Sequence, residues 1–413
     1  MLFGRFNAYL LALLLIPLLS ACALSPKKLV QHNGGPHKIA VFFDGTANDE
    51  ESDTNIKRLH SLVSLQKRTD VSISTIYIEG VGADGKVLGM AMGWGIGARV
   101  RDAYAFLLEN YSPGDQIYIF GFSRGAYSGR ILASMLNSAG LPERRSHSAE
   151  YVADVVYAAF KGKAGLTQRR EQIDNALQQL GLRIAPPVGV EVMGLWDTVE
   201  ALGVPDYAPN IEVPNSRYGD QLCNVKQAYH AMSIDDDRER IFTPILLTRD
   251  HLLEECGVAK KDYAAFLDSH VDEVWFSGAH ADVGGGYQDS LLGGVSLNWM
   301  LGKLRPTGLL PPGAGVPEDR FCTSHDPEKG LPWAILYHRQ SRNLERYTAS
   351  SNYNKRGGTP YLKIHRSVIE RLAKIPPRST EYPWQESNKF WSCFKEGRLD
   401  YVGGPACRLM VVD

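Results

Sequence analysis

Five short runs of β-branched and aromatic residues recur along the chain: HKIAVFF before Asp44-Gly45-Thr46, then VSISTIYIEG, QIYIFGFS, GVEVMGLWDT and DEVWFSGAH. Each is apolar and closes in Gly, Asp, Ser or His, which suits a buried parallel strand whose carboxyl end delivers functional groups. Segments of helical spacing lie between them, among them TNIKRLHSLVSLQ, ARVRDAYAFLLENY and RGAYSGRILASMLNSAG. That alternation restricts the chain to the α/β class, with a central, mostly parallel sheet flanked by helices.

Length and composition bound what such a sheet can carry. At 413 residues, 44% hydrophobic and 22% charged, the chain can bury a sizeable core. A formal net charge of -1 and a pI of about 6.8 give no global basic field, so no nucleic acid partner is expected. No CxxC pair occurs, which argues against a zinc ribbon, and neither metal nor cofactor is expected.

Residues 1–21 read as a lipoprotein signal peptide. Arg5 gives a positive start, and Ala8 to Leu19 is apolar apart from Tyr9 and Pro17, too short for a comfortable membrane span. Leu19-Ser20-Ala21-Cys22 resembles a bacterial lipobox, so Cys22 is the expected lipidation site. Each acyl methylene is worth about 0.8 kcal/mol in a bilayer, enough for several chains to hold the protein on a membrane. Ala23 follows where an aspartate would retain the protein at the inner membrane, which favours an outer-membrane anchor facing the periplasm.

The remaining chain divides into a tether (22–36), an α/β domain (37–375) and an irregular, aromatic-rich C-terminal extension (376–413). Within the domain, residues 141–187 are long for a crossover. They read as two helices, Glu150 to Lys161 and Thr167 to Leu180, forming either a cap over the site or a longer crossover. YLKIHRSVIERLAK reads as a final strand-to-helix element. Export would place Cys223, Cys256, Cys322, Cys393 and Cys407 in an oxidising compartment, and Cys393–Cys407 is the favoured bridge because it would staple the irregular tail.

GFSRGAY, residues 121–127, places Ser123 between two glycines, directly after an apolar strand and before Ile131, Leu132 and Met135 at helical spacing. A serine hydroxyl is a poor nucleophile unless a base, an orienter for that base and donors for an oxyanion surround it. The nucleophile elbow Gly-x-Ser-x-Gly meets the geometric part of that need. Here the backbone N–H of Arg124 is one candidate oxyanion donor. A second is Gly45 or Thr46, in the loop after the first strand.

In such a fold the acid and then the histidine follow the serine. Asp197 and His280, each at a strand end, fit that order, with a helix cap as the alternative for Asp197. Asp282 with His365 gives an equally ordered set. His230, in HAMSIDDDRER, is a third base candidate in a stretch that reads as a helix with solvent-facing charges. Asp44 either ties its loop or takes a polar role at the site, and with Asp49 or Asp53 it lacks calcium-loop spacing. The glycine runs Gly284–Gly286 and Gly93–Gly97 lack the residues that complete a P-loop or dinucleotide fingerprint and read as loops near the site mouth.

FFDGTAND with a following TN, AYAFLLENYSPGDQIYIFGFSRGAYSGR, GLWDTV, HAMSIDDDRERIFTP and GAHADVGGGY occur in that order over residues 38 to 300. Together they resemble the α/β-hydrolase domain of type VI secretion phospholipase effectors of the first lipase class and its bacterial and fungal relatives. The resemblance implies an α/β-hydrolase-like fold and a serine esterase acting on phospholipid or other acyl esters, with Ser123 as nucleophile, Asp197 as acid and His280 as base. Those effectors are larger and lack a lipoprotein signal. The rival expectation is a catalytically silent hydrolase fold serving as an envelope or secretion-accessory binding lipoprotein, whose protein partner no residue names.

Overall fold

All five apolar runs become strands of one nine-stranded sheet. The computed structural model describes residues 26–31, 37–45, 53–64, 71–80, 95–199, 218–238, 242–327, 342, 347, 355–356, 359–374 and 409–413. The signal peptide, Cys22, Thr46, Asp49, Gly93, Cys393 and Cys407 lie outside the described residues.

The strands are β1 (Lys27–Gln31), β2 (His37–Phe43), β3 (Ser72–Ile78), β4 (Gln116–Phe122), β5 (Val190–Trp196), β6 (Val225–Ser233) and β7 (Val271–Phe276). A separate pair, β8 (Lys355–Arg356) and β9 (Thr359–Pro360), precedes β10 (Leu362–His365) and β11 (Leu409–Val412). Their order across the sheet is β1-β3-β2-β4-β5-β6-β7-β10-β11. Every pairing in that sheet is parallel except β1 with β3, which is antiparallel. Parallel strands side by side put all their carboxyl ends, and so all the candidate site residues, along one edge of the sheet.

Alternation along β2 shows why the central strands are apolar throughout. Ile39, Val41 and Phe43 enter one core cluster, while Ala40 and Phe42 enter another on the opposite face. The first face is covered by α2 (Ile96–Asn110), α3 (Arg124–Ala139), α4 (Ala149–Phe160), α5 (Leu166–Gln178) and α6 (Tyr263–His270). The second is covered by α1 (Asn55–Ser64) and α8 (Leu291–Leu304). The short α7 (His280–Gly284) follows β7, and α9 (Arg366–Lys374) follows β10, as the strand-to-helix pattern predicts. The architecture is that of an α/β-hydrolase-like sheet, every residue of α3 being buried behind Ser123.

The two helices expected within 141–187 form as α4 and α5. They pack against α2, α3 and each other, within the first helical layer. Val152, Val156, Phe160, Ile173 and Leu177 supply the buried stripe, each full burial contributing about 1.5–3 kcal/mol.

Two sequence expectations change. The tether is in part the edge strand β1, whose Lys27, Lys28 and exposed Val30 leave little periodicity to read but suit a sheet edge. The stretch from His230 is not a solvent-facing helix: HAMS ends β6 inside the sheet, and Asp235, Asp236 and Asp237 are buried. Asp235 accepts the Gly278 N–H at 2.7 Å and Asp236 pairs with Arg238 at 2.6 Å, contacts that a helical wheel cannot anticipate. The disulfide among the described residues joins Cys223 to Cys256, tying the turn before β6 to the loop that follows it, and Cys322 is free; the expected Cys393–Cys407 pair lies outside the described residues.

Candidate active site

Ser123 sits between the last residue of β4 and the first of α3 with φ 59° and ψ -126°. A non-glycine residue rarely adopts a positive φ, so the turn stores strain, as a nucleophile elbow does. Both flanking glycines are required sterically. A Cβ at Gly121 would come within 2.5 Å of the Ala126 Cα, and one at Gly125 would strike the carbonyl oxygens of Phe43 and Asp44. The first close approach makes the sharp turn, and the second brings α3 against the loop that leaves β2.

The Ser123 N–H donates to the Trp196 carbonyl at 2.9 Å, stitching the elbow to the end of β5. Asp197 is the next residue, also at positive φ (38°) and fully buried. Its Oδ2 lies 2.6 Å from His280 Nδ1, and its Oδ1 accepts the Ser233 N–H at 3.0 Å. The His280 ring packs between Phe122, at 4.6 Å between centroids, and Phe242, at 4.9 Å. Phe122 immediately precedes Ser123. Three strand tips thus converge, and Nδ1 being engaged leaves Nε2 as the imidazole atom available for proton transfer.

Two further groups hold this pair, and neither was singled out by sequence reasoning. Arg342 forks onto Asp197, Nη1 to Oδ1 at 2.7 Å and Nη2 to Oδ2 at 2.8 Å. Asp236 accepts the His280 N–H at 3.1 Å and pairs with Arg238 at 2.6 Å, while the Arg238 guanidinium lies over the Phe242 ring. Asp236 and Arg238 stand in the HAMSIDDDRER motif, so a signal existed there. Arg342 lies 145 residues from Asp197 in a stretch without a readable pattern.

Burial would raise the Asp197 carboxyl, but the Arg342 charge and the His280 hydrogen bond outweigh it and hold the group well below the usual carboxylate range. For His280, burial lowers the imidazole more than Asp197 and Asp236 raise it. Burial also brings Arg124 down to about 10.

Competing candidates are engaged elsewhere. Asp282 accepts the Ala279 N–H at 2.9 Å and pairs with His325 at 2.6 Å. His365 bonds Ser367 at 2.8 Å and stacks on Phe276, so Asp282 and His365 do not form a hydrogen-bonded pair. His230 lies within the sheet, its Nδ1 on Glu273 at 2.8 Å and its Nε2 accepting the Thr198 N–H at 3.1 Å.

Asp44 ties its loop: it accepts from Thr54 Oγ1, Tyr77 Oη and the Gly45 N–H, each at 2.6 Å, and burial raises it to about 6 despite them. An oxyanion role for Gly45 therefore requires that N–H to leave Asp44. Asp53 accepts from Ser290 Oγ at 2.9 Å. Gly285 bridges to Thr54, and a Cβ on Gly284, the last residue of α7, would strike Phe122, so these glycines allow close packing of α7 on β4 and on the segment before α1. Gly95 opens α2.

Residues 37–303 match the family described as T6SS, phospholipase effector Tle1-like, catalytic domain. The chain belongs to that family. The chain is 24% identical over 271 residues to the uncharacterized protein YEL023C of Saccharomyces cerevisiae, an alignment covering 57% of this chain and 38% of the yeast protein. Among solved structures, the chain is similar to an uncharacterized protein from Pseudomonas aeruginosa, with 18% identity, a TM-score of 0.35, and coverage of 65% of this chain and 45% of that one. It is also similar to the butyrate-bound Est2 esterase of Thermogutta terrifontis, at 13% identity and a TM-score of 0.34, covering 70% and 92%. The chain spans less than half the length of the yeast and Pseudomonas relatives. Arg342 and β10 lie beyond the Tle1-like match.

Proposed function

We propose that the protein is a serine esterase of the lipase kind that cleaves acyl esters, phospholipids being the substrate class its family favours. The observation that carries this reading is the 2.6 Å contact of Asp197 with His280 beside a strained Ser123 at the next strand tip. Ser123 Oγ attacks the ester carbonyl while His280 Nε2 takes the hydroxyl proton, and the carbonyl electrons move onto oxygen. The Arg124 N–H at the start of α3 donates to that oxyanion, with Gly45 or Thr46 as the second donor. Collapse expels the alcohol, which receives the proton from Nε2 and leaves an acyl-Ser123 ester. Water then attacks this ester, with His280 again taking and returning a proton, and the carboxylic acid departs. Asp197 keeps its charge throughout, orienting the ring and stabilising the imidazolium.

The lipobox supports a location on the bacterial cell envelope: lipidation of Cys22 would hold the domain against the outer membrane, on the periplasmic side, within reach of phospholipid. Mixed phospholipid vesicles with product profiling test the reading. The wild type is expected to release fatty acid and lysolipid, and Ser123→Ala none. Equal release by both proteins would refute it.

A further inference from the structure

The Asp197 carboxylate is held from two sides, and its holder comes from outside the Tle1-like region. Oδ1 takes the Ser233 N–H and Arg342 Nη1, while Oδ2 is shared between His280 Nδ1 and Arg342 Nη2. The same guanidinium donates to the carbonyl oxygens of Ser233, at 2.5 Å from Nη1, and Phe242, at 3.0 Å from Nη2. Phe242 is in turn one of the two rings against His280. One buried side chain therefore fixes the acid, the strand end beside it and the aromatic wall of the base.

We propose that Arg342 is a positioning residue of the esterase site, setting the carboxylate plane of Asp197 so that Oδ2 meets His280 Nδ1, and offsetting part of the carboxylate's charge. This inference rests on reading Ser123, His280 and Asp197 as the catalytic set. The physical need is specific. A carboxylate held by one ring and one backbone N–H keeps some freedom about its Cβ–Cγ bond, whereas a planar fork spanning both oxygens fixes its plane more tightly. The charge matters as well, because a bare Asp197 would stabilise the protonated imidazole more strongly. The charged groups facing His280 are Asp197 at the end of β5, Asp236 and Arg238 after β6, and, through Asp197, Arg342. Removing Arg342 removes positive charge, so His280 should hold its proton to higher pH. The part of the chain beyond residue 303 is then a working part of the site.

The test is steady-state hydrolysis of a soluble p-nitrophenyl ester across pH by the full-length wild type, Arg342→Lys and Arg342→Gln, with Ser123→Ala as control. Arg342→Lys keeps the charge but loses the fork: kcat should fall about 10- to 100-fold with KM changed less than about two-fold, as misplacement of a catalytic group does. Its acid limb should stay near that of the wild type. Arg342→Gln should lose at least as much kcat and shift the acid limb of kcat/KM to higher pH. Wild-type kcat in Arg342→Lys overturns the proposal, even if Arg342→Gln fails to fold. So does an unmoved acid limb in a folded Arg342→Gln. If the wild type is inactive, or Ser123→Ala is active, the reading of the catalytic set fails instead.

Discussion

At the scale of single residues, the site depends on two backbone positions held at positive φ, Ser123 and Asp197, at the tips of neighbouring strands. Each is a side chain that a regular strand would have pointed into the core, and the turn redirects it. The same compactness shapes the expected pH profile. Burial pulls the His280 imidazole below its ordinary value, with Asp197 and Asp236 opposing and Arg238 assisting. In the proposed mechanism the neutral ring is the base, so a lowered value preserves activity at lower pH. The acid limb of kcat/KM should therefore fall below about pH 6.5; a limb centred above pH 7 would count against this environment. Ser123, Asp197 and His280 were legible because each ends an apolar run in a residue that packing does not require. Arg342 was not, since a lone arginine carries no signal until the fold places its fork on a carboxylate.

At the scale of elements, strands buried on both faces are easy to read and the half-patterned ones are not. β2, β3, β4, β5 and β7 announce themselves as apolar runs, whereas β6 mixes Lys226, Gln227 and His230 into VKQAYHAMS and passes for something else. Its polar residues are satisfied from outside the strand: Lys226 by Glu191, Gln227 by the Ser269 carbonyl, His230 by Glu273 and Thr198. Pairings of that kind are decided by neighbours far along the chain. The Cys223–Cys256 bridge belongs here too, since it closes a loop of 33 residues beginning just before β6. In the chain-entropy account, closing such a loop contributes about 3–4 kcal/mol. Cys223→Ser/Cys256→Ser should therefore unfold at lower denaturant than the oxidised wild type, by roughly that free energy, and a reductant should affect only the wild type. An unchanged midpoint would mean that the bridge does not form in the protein.

At the scale of the whole molecule, we propose an α/β-hydrolase-like domain hanging from a lipid anchor, in which Arg342, beyond the Tle1-like match, contacts Asp197. The anchor is tested separately from the chemistry: Cys22→Ala should lose palmitate labelling and leave the membrane fraction while keeping esterase activity in solution, and retained labelling would exclude lipidation at that cysteine. The disulfide accords with an oxidising compartment. The family was readable because five motifs fall in sequence. The strand-to-helix element β10–α9 was readable as well, whereas the contribution of Arg342 was not, because it makes sense only once Asp197 is in place to receive it. The proposed chemistry requires Ser123 to be an activated nucleophile. Treatment of the folded protein with a fluorophosphonate, followed by peptide mass mapping, asks this directly. A single adduct on Ser123, lost in His280→Ala, is the predicted result; no adduct there, in protein that still hydrolyses esters, would contradict it.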